Sequence, residues 1–375
     1  MKRFWIAAAA ALVASACATT GCSSMFPHTN KIEEISPSLF VYFDVGQREP
    51  LSSTIFVPTA GLREKRHSLT VEGSMMKQMR ERLNNRHTRE IRSGKIKMVF
   101  VSERLARRGL FPVLNALMTD EDVSDRLYLA VLRGEMDEKT KRGIAEQEAF
   151  DFYLYRMFRH YDRRGGIAVT DLHAFMSRYF NGYGDPTAPV FHLEQNRFVY
   201  EGIGAFRRDR LVLVLNGEQN GLFELIRRNR NFQATLPLAD MRVVLSSVRS
   251  NRNVQISEKG GLELSLRMTA RIEEYQGTLD LGNRRDAFRL REAIARRLEQ
   301  QIQGVLERLQ AAESDPAAFG MLTFGPMHPS PWPRDRWQQI WSKMPVSVRC
   351  VIQLTNLGTV FPRRPEGSAS ESPPP

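Results

Sequence analysis

The chain has 375 residues, of which 42% are hydrophobic and 26% are charged, so it can form two or three folded domains and need not be disordered. Its 54 lysine and arginine residues against 42 acidic residues leave a net charge of +12. Cysteines at positions 17, 22 and 350 are too few and too scattered for a disulfide scaffold, a zinc finger or a cysteine-cluster metal site.

The first residues are typical of an exported lipoprotein. A short basic stretch, Met1 to Arg3, precedes an apolar run from Phe4 to Ala16, and small residues with two cysteines follow. We expect a lipoprotein signal peptide over residues 1–21 and lipid attachment at Cys22, because the sequence GCSS is typical of lipoprotein junctions. Cys17 is the alternative attachment site.

An uncleaved signal anchor would also fit this segment, because no charge lies between Arg3 and Lys31. The centre of the segment is mostly alanine, however, which contributes little to membrane insertion. No later segment reaches the roughly 18 apolar residues of a membrane-spanning helix. We therefore expect everything after the anchor to be soluble.

The excess of arginine suits either a solvated surface or attraction to anionic lipid headgroups and cell-wall polymers. On a cytosolic protein, the same positive charge would indicate nucleic-acid binding. Because the N-terminal segment indicates export and a lipid anchor, nucleic acid is not an expected partner. The arginines are scattered and lie mostly on polar faces of amphipathic elements, which favours a solvated surface over binding to headgroups or cell-wall polymers.

The first half of the chain predicts strands that alternate with helices. After a tether over residues 22–37, we expect strands at 39–45, 96–102 and 127–132 and helices at 70–92, 112–119, 136–160 and 170–180, the last with its N-cap at Thr170. Strand, helix and strand at this spacing form a βαβ-like unit, which favours an α/β region over residues 38–195, either whole or as two sub-domains. A turn-rich loop at 181–189 precedes the expected boundary.

The second half predicts a region richer in hairpins. Residues 198–206 and 211–215 flank a polar turn, and a helix at 220–228 and strands at 233–237, 241–250 and 261–275 follow. A long amphipathic helix at 284–312 has one apolar stripe, which indicates core packing, namely Leu290, Ile294, Leu298, Ile302, Val305 and Leu309. A helix around Trp337 and a strand at 345–360 complete a C-terminal domain over 196–361, before a disordered tail at 362–375. The whole pattern predicts a multi-domain α+β fold with mixed sheets flanked by helices.

The motifs of common enzymes are missing from the sequence. The seven histidines stand apart from one another, and neither HExxH nor GxSxG occurs. Gly202-Ile203-Gly204 precedes a strand and not a helix, and the stretch Gly217 to Gly221 lacks a following Lys-Ser/Thr, so neither is a phosphate-binding loop. We therefore expect no catalytic residue, no bound metal and no cofactor other than a covalent acyl anchor.

Several stretches, in order along the chain, are similar to the motifs of one known family. Gly94 to Leu110 resembles the pattern G-h-h-K-h-h-h-h-S-E-x-L-A-x-x-G-h, where h is hydrophobic, and Gly202 to Val212 resembles G-x-A-x-F-K-x-D-K-L-V. Leu215 to Leu222 resembles L-x-x-x-E-x-x-G-L, and Asp315 to Gly320 resembles D-x-x-x-F-G. On these residues the chain resembles the Ger(x)C, or GerAC-like, family, the C-subunit lipoproteins of nutrient germinant receptors in spore-forming bacteria. Residues 46–92 do not align with the family's pattern.

The resemblance implies a three-domain lipoprotein on the outer face of the cell membrane or of the inner spore membrane. It also implies two integral-membrane partners, the A and B receptor subunits, and no catalytic activity. The family motifs single out an assembly or structural set, namely Gly202, Asp209, Glu218, Gly221, Phe319, Gly320 and Trp337. Within it, we expect the carboxylate of Glu218 to cap the helix at 220–228. A generic extracytoplasmic envelope lipoprotein or a substrate-binding lipoprotein is the alternative function.

Overall fold

The computed structural model describes residues 35–36, 38–58, 66–86, 90–164, 167–227, 235–256, 260–323, 333 and 336–355. Cys17, Cys22 and the tail 362–375 lie outside the described residues, as do the expected signal peptide and most of the tether.

The described elements alternate between strands and helices in the first half of the chain. They are β1 (Ile35–Ser36), β2 (Phe40–Val45), β3 (Leu51–Pro58), β4 (Arg66–Gly73), α1 (Met76–Asn84), β5 (Glu90–Ile91), β6 (Met98–Ser102), α2 (Glu103–Arg108), α3 (Phe111–Met118), β7 (Tyr128–Arg133), α4 (Glu138–Ala145), α5 (Phe150–Arg164), β8 (Thr170–Asp171), α6 (Leu172–Asn181) and β9 (Thr187–Glu194). The second half has β10 (Arg197–Arg207), β11 (Arg210–Asn216), α7 (Gly217–Arg227), β12 (Leu236–Leu238), β13 (Val243–Ile256), β14 (Leu262–Tyr275), α8 (Arg284–Ala311), α9 (Trp337–Lys343) and β15 (Val346–Thr355).

A nine-stranded mixed sheet, here called the first sheet, takes its strands from both halves of the chain. Its order is β11-β10-β9-β7-β6-β2-β3-β4, with β8 paired to β7. The four central strands, β2, β6, β7 and β9, are parallel. Antiparallel strands flank them on both sides, β3 and β4 on one and β10 and β11 on the other. The predicted mixed α+β fold is confirmed.

Helices cover both faces of the first sheet, which explains why its parallel strands are so apolar. Along β2, Val41 and Phe43 point to one core and Phe40 and Tyr42 to the other, because successive side chains of a strand alternate between faces. Helices α1, α2, α3 and α6 pack on the first of these faces. Helices α4 and α5 pack on the second.

A four-stranded sheet, the second sheet, runs in the order β12-β13-β14-β15 and is covered on one face by α8. Along β14, buried and exposed residues alternate, as expected of a sheet with one solvated face. The apolar stripe of α8 is buried along its length against this sheet, so the predicted core packing is confirmed. The side chain of Asn283 accepts a hydrogen bond from Arg285 N and caps the helix.

Three local predictions differ from the structure. The helix expected at 70–92 is shorter, since Arg66–Gly73 pairs as β4 with β3 and only Met76–Asn84 is helical. The helix expected at 136–160 is two helices, broken where Ala149 takes a positive φ of 52°. The N-cap of α6 is Asp171 and not Thr170, because the Asp171 carboxylate accepts the Ala174 amide at 2.7 Å.

The boundary expected between residues 195 and 196 falls within a tight turn of the first sheet. Gln195 and Asn196, both with positive φ (49° and 61°), connect β9 to β10. The hairpin of β10 and β11, which lies beyond that boundary, therefore completes the sheet begun by β2. The change from the first to the second sheet comes later, between β11 and β12.

Candidate assembly site

The β10–β11 hairpin ends in a two-residue turn that is docked against the first half of the chain. Arg207 pairs with Arg210, and Arg208 takes a positive φ of 56° at the turn. The main-chain oxygen of Asp209 accepts the Leu110 amide at 3.0 Å, and its Oδ2 accepts the Phe111 amide, also at 3.0 Å. Asp209 thus caps the N-terminus of α3, where a carboxylate is favourable.

Gly109 makes room for this contact. Its φ of +130° is one that residues with a side chain rarely adopt, and a Cβ atom there would lie 2.7 Å from Asp209 Oδ2. A similar demand holds at Gly202, which follows a bulge in β10, because a Cβ atom would overlap the Leu215 carbonyl oxygen. Gly109 thus permits the close approach of the hairpin turn to α3, and Gly202 permits the close approach of the two strands within the hairpin.

The helix after the hairpin is capped by residues other than Glu218, contrary to expectation. Asn216 Oδ1 accepts the Gln219 amide at 3.1 Å, and Gln219 Oε1 accepts the Asn216 amide at 3.3 Å. Because α7 begins at Gly217, three residues before the predicted start, Asn216 occupies the N-cap position. Glu218 is an exposed residue of the first turn, and Asn-x-x-Gln is the capping-box spacing that should have indicated this. Further along α7, Gly221 lies close to Leu236, with its Cβ position 3.2 Å from Leu236 Cδ1.

Two buried aspartates join the hairpin tip to the end of α8. The Asp185 amide donates to the Asp315 carbonyl at 2.8 Å, and the Asp315 amide donates to Asp185 Oδ2 at 2.8 Å. The other carboxylate oxygen of Asp185 accepts the Arg208 amide at 2.8 Å. One side chain therefore fixes the loop before β9, the hairpin turn and the chain that leaves α8.

Neighbouring contacts strengthen the same link. The Ser314 hydroxyl donates to the Phe206 carbonyl at 2.6 Å, and Arg207 forms a 2.6 Å ion pair with Glu313. We call the set formed by Gly109, Asp185, Asp209 and Asp315, with the hairpin turn between them, the hairpin junction.

Asp315 also organises the tryptophans of α9. Its Oδ2 accepts the Gly320 amide and Trp337 Nε1, each at 3.0 Å. A Cβ atom on Gly320 would lie 2.6 Å from Trp337 Cε2. Phe319 packs its ring on Trp341, with centroids 5.2 Å apart, and both tryptophans are fully buried. Phe319, Gly320 and Trp337 therefore form one unit, which the Asp185–Asp315 contact connects to the hairpin.

The electrostatics of the junction are dominated by burial. Burial, together with the nearby Asp185 carboxylate, raises the pKa of Asp315 to about 7, although hydrogen bonds from Gly320, Phe319 and Trp337 act against the rise. Burial also raises the pKa of Asp185. Within the described part of the chain, Asp315 Oδ1 accepts no hydrogen bond. Burial lowers the pKa of both Arg178 and Arg252, whose guanidinium groups are attracted by Asp315.

The residues of the hairpin junction hold distant segments of the chain together by hydrogen bonds. Most of its polar groups form hydrogen bonds within the protein. The aromatic rings beside it, those of Phe319, Trp337 and Trp341, are buried. Over the described residues, no group of three or more His, Cys, Asp or Glu could hold a metal ion. Burial raises the pKa of Cys350 to about 12, so its thiol is protonated and unreactive at neutral pH. Among the helices that the structure describes, none is long and apolar enough to cross a membrane.

Residues 28–193 match the model of the spore germination protein N-terminal domain, and residues 201–358 match that of the spore germination B3/GerAC-like C-terminal domain. The spore germination protein GerQC of Bacillus cereus is 18% identical over 296 residues, which cover 77% of this chain and 82% of that protein. YfkR of Bacillus subtilis (strain 168) is 21% identical over 311 residues, or 78% of this chain and 79% of YfkR.

A solved structure has a similar fold. The crystal structure of the GerBC protein superposes with a TM-score of 0.50 over 84% of this chain and 97% of the GerBC chain. At 14% identity this likeness is one of fold.

Proposed function

Because this chain belongs to the GerAC-like family of spore germination proteins, we propose that it is the lipid-anchored C subunit of a nutrient germinant receptor. In this role it is held at the membrane by an acyl group on Cys22 and contributes to receptor assembly and signalling. It acts by binding its partners, the integral-membrane A and B subunits, and not by catalysis.

The observation that carries the proposal is the pair of family matches. They follow one another over residues 28–358, and both fall in proteins of spore germination. The relatives match over about four fifths of their own length, so the likeness extends over most of a spore germination protein and is not confined to one shared segment. The GerBC structure supports the same arrangement of elements.

The hairpin junction gives this proposal a physical basis. A subunit that passes a signal by contact must keep its binding surfaces in fixed relation to one another. Here Asp209 and Asp185 fix the hairpin turn to α3 and to the loop before β9, within the first sheet. The contact between Asp185 and Asp315 then joins this turn to the chain that leaves α8, the helix that covers the second sheet. We infer that the junction preserves the relative placement of surfaces that meet the A and B subunits.

The anchor is tested by labelling with radioactive palmitate in cells that express the full chain. Cys22→Ala should abolish the label and release the protein from the membrane fraction, whereas Cys17→Ala should retain both. Label that persists in Cys22→Ala and disappears in Cys17→Ala would move the anchor to the other cysteine. Label that persists in both variants would contradict Cys22 as the single attachment site, and absence of label from the unsubstituted chain would remove the lipoprotein from the proposal.

Receptor membership is tested separately, by purification of the tagged chain from spore membranes. The A and B subunits should co-purify with it, and spores lacking the chain should fail to germinate on the nutrient of that receptor. Normal germination together with absence of both subunits would instead favour a generic envelope or substrate-binding lipoprotein.

A further inference from the structure

Helix α5 exposes large aromatic side chains on the face opposite the core. Phe150, Leu154 and Phe158 are buried against the first sheet, as expected of an amphipathic helix. On the outer face, Phe152 is 49% exposed and Tyr153 is 58% exposed. Two adjacent exposed aromatic rings on one helix are unusual for a surface that faces water alone.

Arginine side chains lie over the aromatic rings of this helix. The Arg156 guanidinium is 5.2 Å from the centre of the Phe152 ring, and that of Arg159 is 5.9 Å from the Tyr155 ring. These two guanidinium groups lie beyond the first turn of the helix and give its outer face positive charge. Asp151, in the first turn, is buried in an ion pair with Arg66 and does not offset this charge at the surface.

The N-terminal tether passes from one face of the first sheet to the other: Ile35 and Ser36 pair with Glu90 and Ile91, and Ile91 packs in the core on the α1 side. Leu39 packs against the core cluster that contains Phe150, Leu154 and Phe158, the buried residues of α5. Between the proposed lipid site at Cys22 and Leu39 stand residues 23–38, whose extended length is at most about 55 Å. An acyl anchor at Cys22 on a tether of this length allows the α5 side of the protein to reach the lipid surface.

We propose that the outer face of α5, formed by Phe152, Tyr153, Arg156 and Arg159, binds the anionic phospholipid surface of the membrane. The inference rests on the proposed lipid anchoring, to which it adds a second attachment. Aromatic rings favour the boundary between headgroups and acyl chains, and arginine pairs with lipid phosphate while its stem packs on apolar surface. A diacylglyceryl group on a lipoprotein cysteine already carries two acyl chains, so the contact at α5 would orient the subunit on the membrane surface and strengthen its attachment.

The experiment measures vesicle binding without the acyl group. The unacylated chain from Ser23 onward retains every residue that the structure describes, and it is mixed with sedimentable vesicles of phosphatidylcholine, with or without phosphatidylglycerol. We expect binding to the vesicles that contain phosphatidylglycerol, weakened by salt. The variants Phe152→Ser/Tyr153→Ser and Arg156→Gln/Arg159→Gln should each reduce the affinity roughly tenfold or more.

Helix α8 offers a matched control. Phe288 is 55% exposed, and the Arg291 guanidinium lies 4.7 Å from the centre of its ring. Phe288→Ser/Arg291→Gln therefore removes the same kind of pair from another helix and should leave vesicle binding unchanged. Thermal melts of all three variants check that each is folded, since these side chains are exposed and contribute little to the core.

Three outcomes would overturn the proposal. They are binding that does not depend on phosphatidylglycerol, α5 variants that bind as the wild type does, and an equal loss in the α8 control. An α5 variant that binds vesicles normally but no longer co-purifies with an integral-membrane subunit would assign this face to a protein partner and also overturn it. Palmitate labelling of the full chain is independent of all these results, so failure of the anchor and failure of the α5 surface can be told apart.

Discussion

The Asp209 carboxylate and the Phe111 amide are separated by 98 residues in the sequence and by 3.0 Å in the structure. Through this hydrogen bond, a side chain from the tip of a distant hairpin caps the N-terminus of α3. The cap therefore depends on the tertiary structure, because it forms only when the hairpin is packed against α3.

Loss of this cap should destabilise the protein measurably. For Asp209→Ala, we expect the free energy of unfolding to fall by about 1–2 kcal/mol, as for other N-cap truncations. Asp209→Asn should lose much less, because an amide oxygen can accept the same hydrogen bond. Urea unfolding followed by circular dichroism checks both. An alanine variant with an unchanged midpoint would contradict a capping role for Asp209.

Gly109→Ala should be more damaging than its small volume suggests. The positive φ and the short distance to Asp209 Oδ2 both oppose a Cβ atom, and we expect a loss of roughly 1–3 kcal/mol. Gly217→Ala is the control, because its Cβ position is open and it lies in the first turn of a helix. That control should be neutral or slightly stabilising in the same unfolding assay. Equal melting temperatures for the two variants would be evidence against strain at Gly109.

The two candidate caps of α7 can be separated by a pair of alanine substitutions. Asn216→Ala should cost about 1 kcal/mol, since its side chain and that of Gln219 complete the capping box. Glu218→Ala should change stability by less than about 0.5 kcal/mol, as expected for an exposed residue without a specific contact. Thermal melts of both variants decide the matter, and a larger loss for Glu218→Ala would reverse the assignment.

Stability should fall as the pH rises from about 4 to about 7. The unfolded Asp315 carboxyl releases its proton near pH 4, whereas burial keeps it protonated in the fold up to a pKa of about 7. Over that interval the folded protein holds a proton that the unfolded chain has lost, so the contribution is fully present below pH 4 and lost above pH 7. Asp185 acts in the same direction, since its pKa is also raised.

The substitution Asp315→Asn tests this pH dependence. An amide cannot titrate here but still accepts hydrogen bonds from Gly320 and Trp337 through its oxygen. The decline in unfolding free energy between pH 4 and 7 should therefore be shallower than in the wild type, by a few kcal/mol over the interval. Parallel curves for the two proteins, measured by urea unfolding across the pH range, would contradict the buried-acid explanation.

Trp337→Ala should cause a general loss of stability. The indole is fully buried, packs on Gly320 and donates to Asp315, so its removal leaves both a cavity and an unpaired acceptor. We expect a loss of about 3–5 kcal/mol. Trp337→Phe should lose less, because it retains most of the volume and gives up only the N–H donor. A wild-type melting temperature for the alanine variant would exclude a core role.

Secondary structure was predicted most accurately for elements whose own residues show a clear pattern of apolar and polar side chains. The stripe from Leu290 to Leu309 gave α8 almost to the residue, since a period of three to four is readable over 28 residues. The β10–β11 hairpin was equally clear, because a polar turn separates two apolar runs. By contrast, β4 is an edge strand with few fully buried residues, so its alternation of apolar and polar side chains is weak. The predicted helix at 70–92 therefore overlaps the end of this strand.

The junction was less predictable for a different reason. Asp185 and Asp315 lie 130 residues apart, and nothing near either residue indicates the other. Motif resemblance singled out Asp209, Gly320 and Trp337 without showing what they touch. The spacing of Asn216 and Gln219 is that of a capping box and can be read from the sequence. The predicted helix start at residue 220 excludes both residues, whereas the helix begins at Gly217.

The shared first sheet has a consequence for the order in which the growing chain can fold. Strand β9 lies at an open sheet edge until β10 and β11 pair with it, and they end at Asn216. A nascent chain that has emerged only to residue 193 therefore presents an unpaired strand edge, which is a template for wrong pairing with other chains. The N-terminal family domain cannot complete its sheet alone, and its folding must wait until the first strands of the next domain have been synthesised.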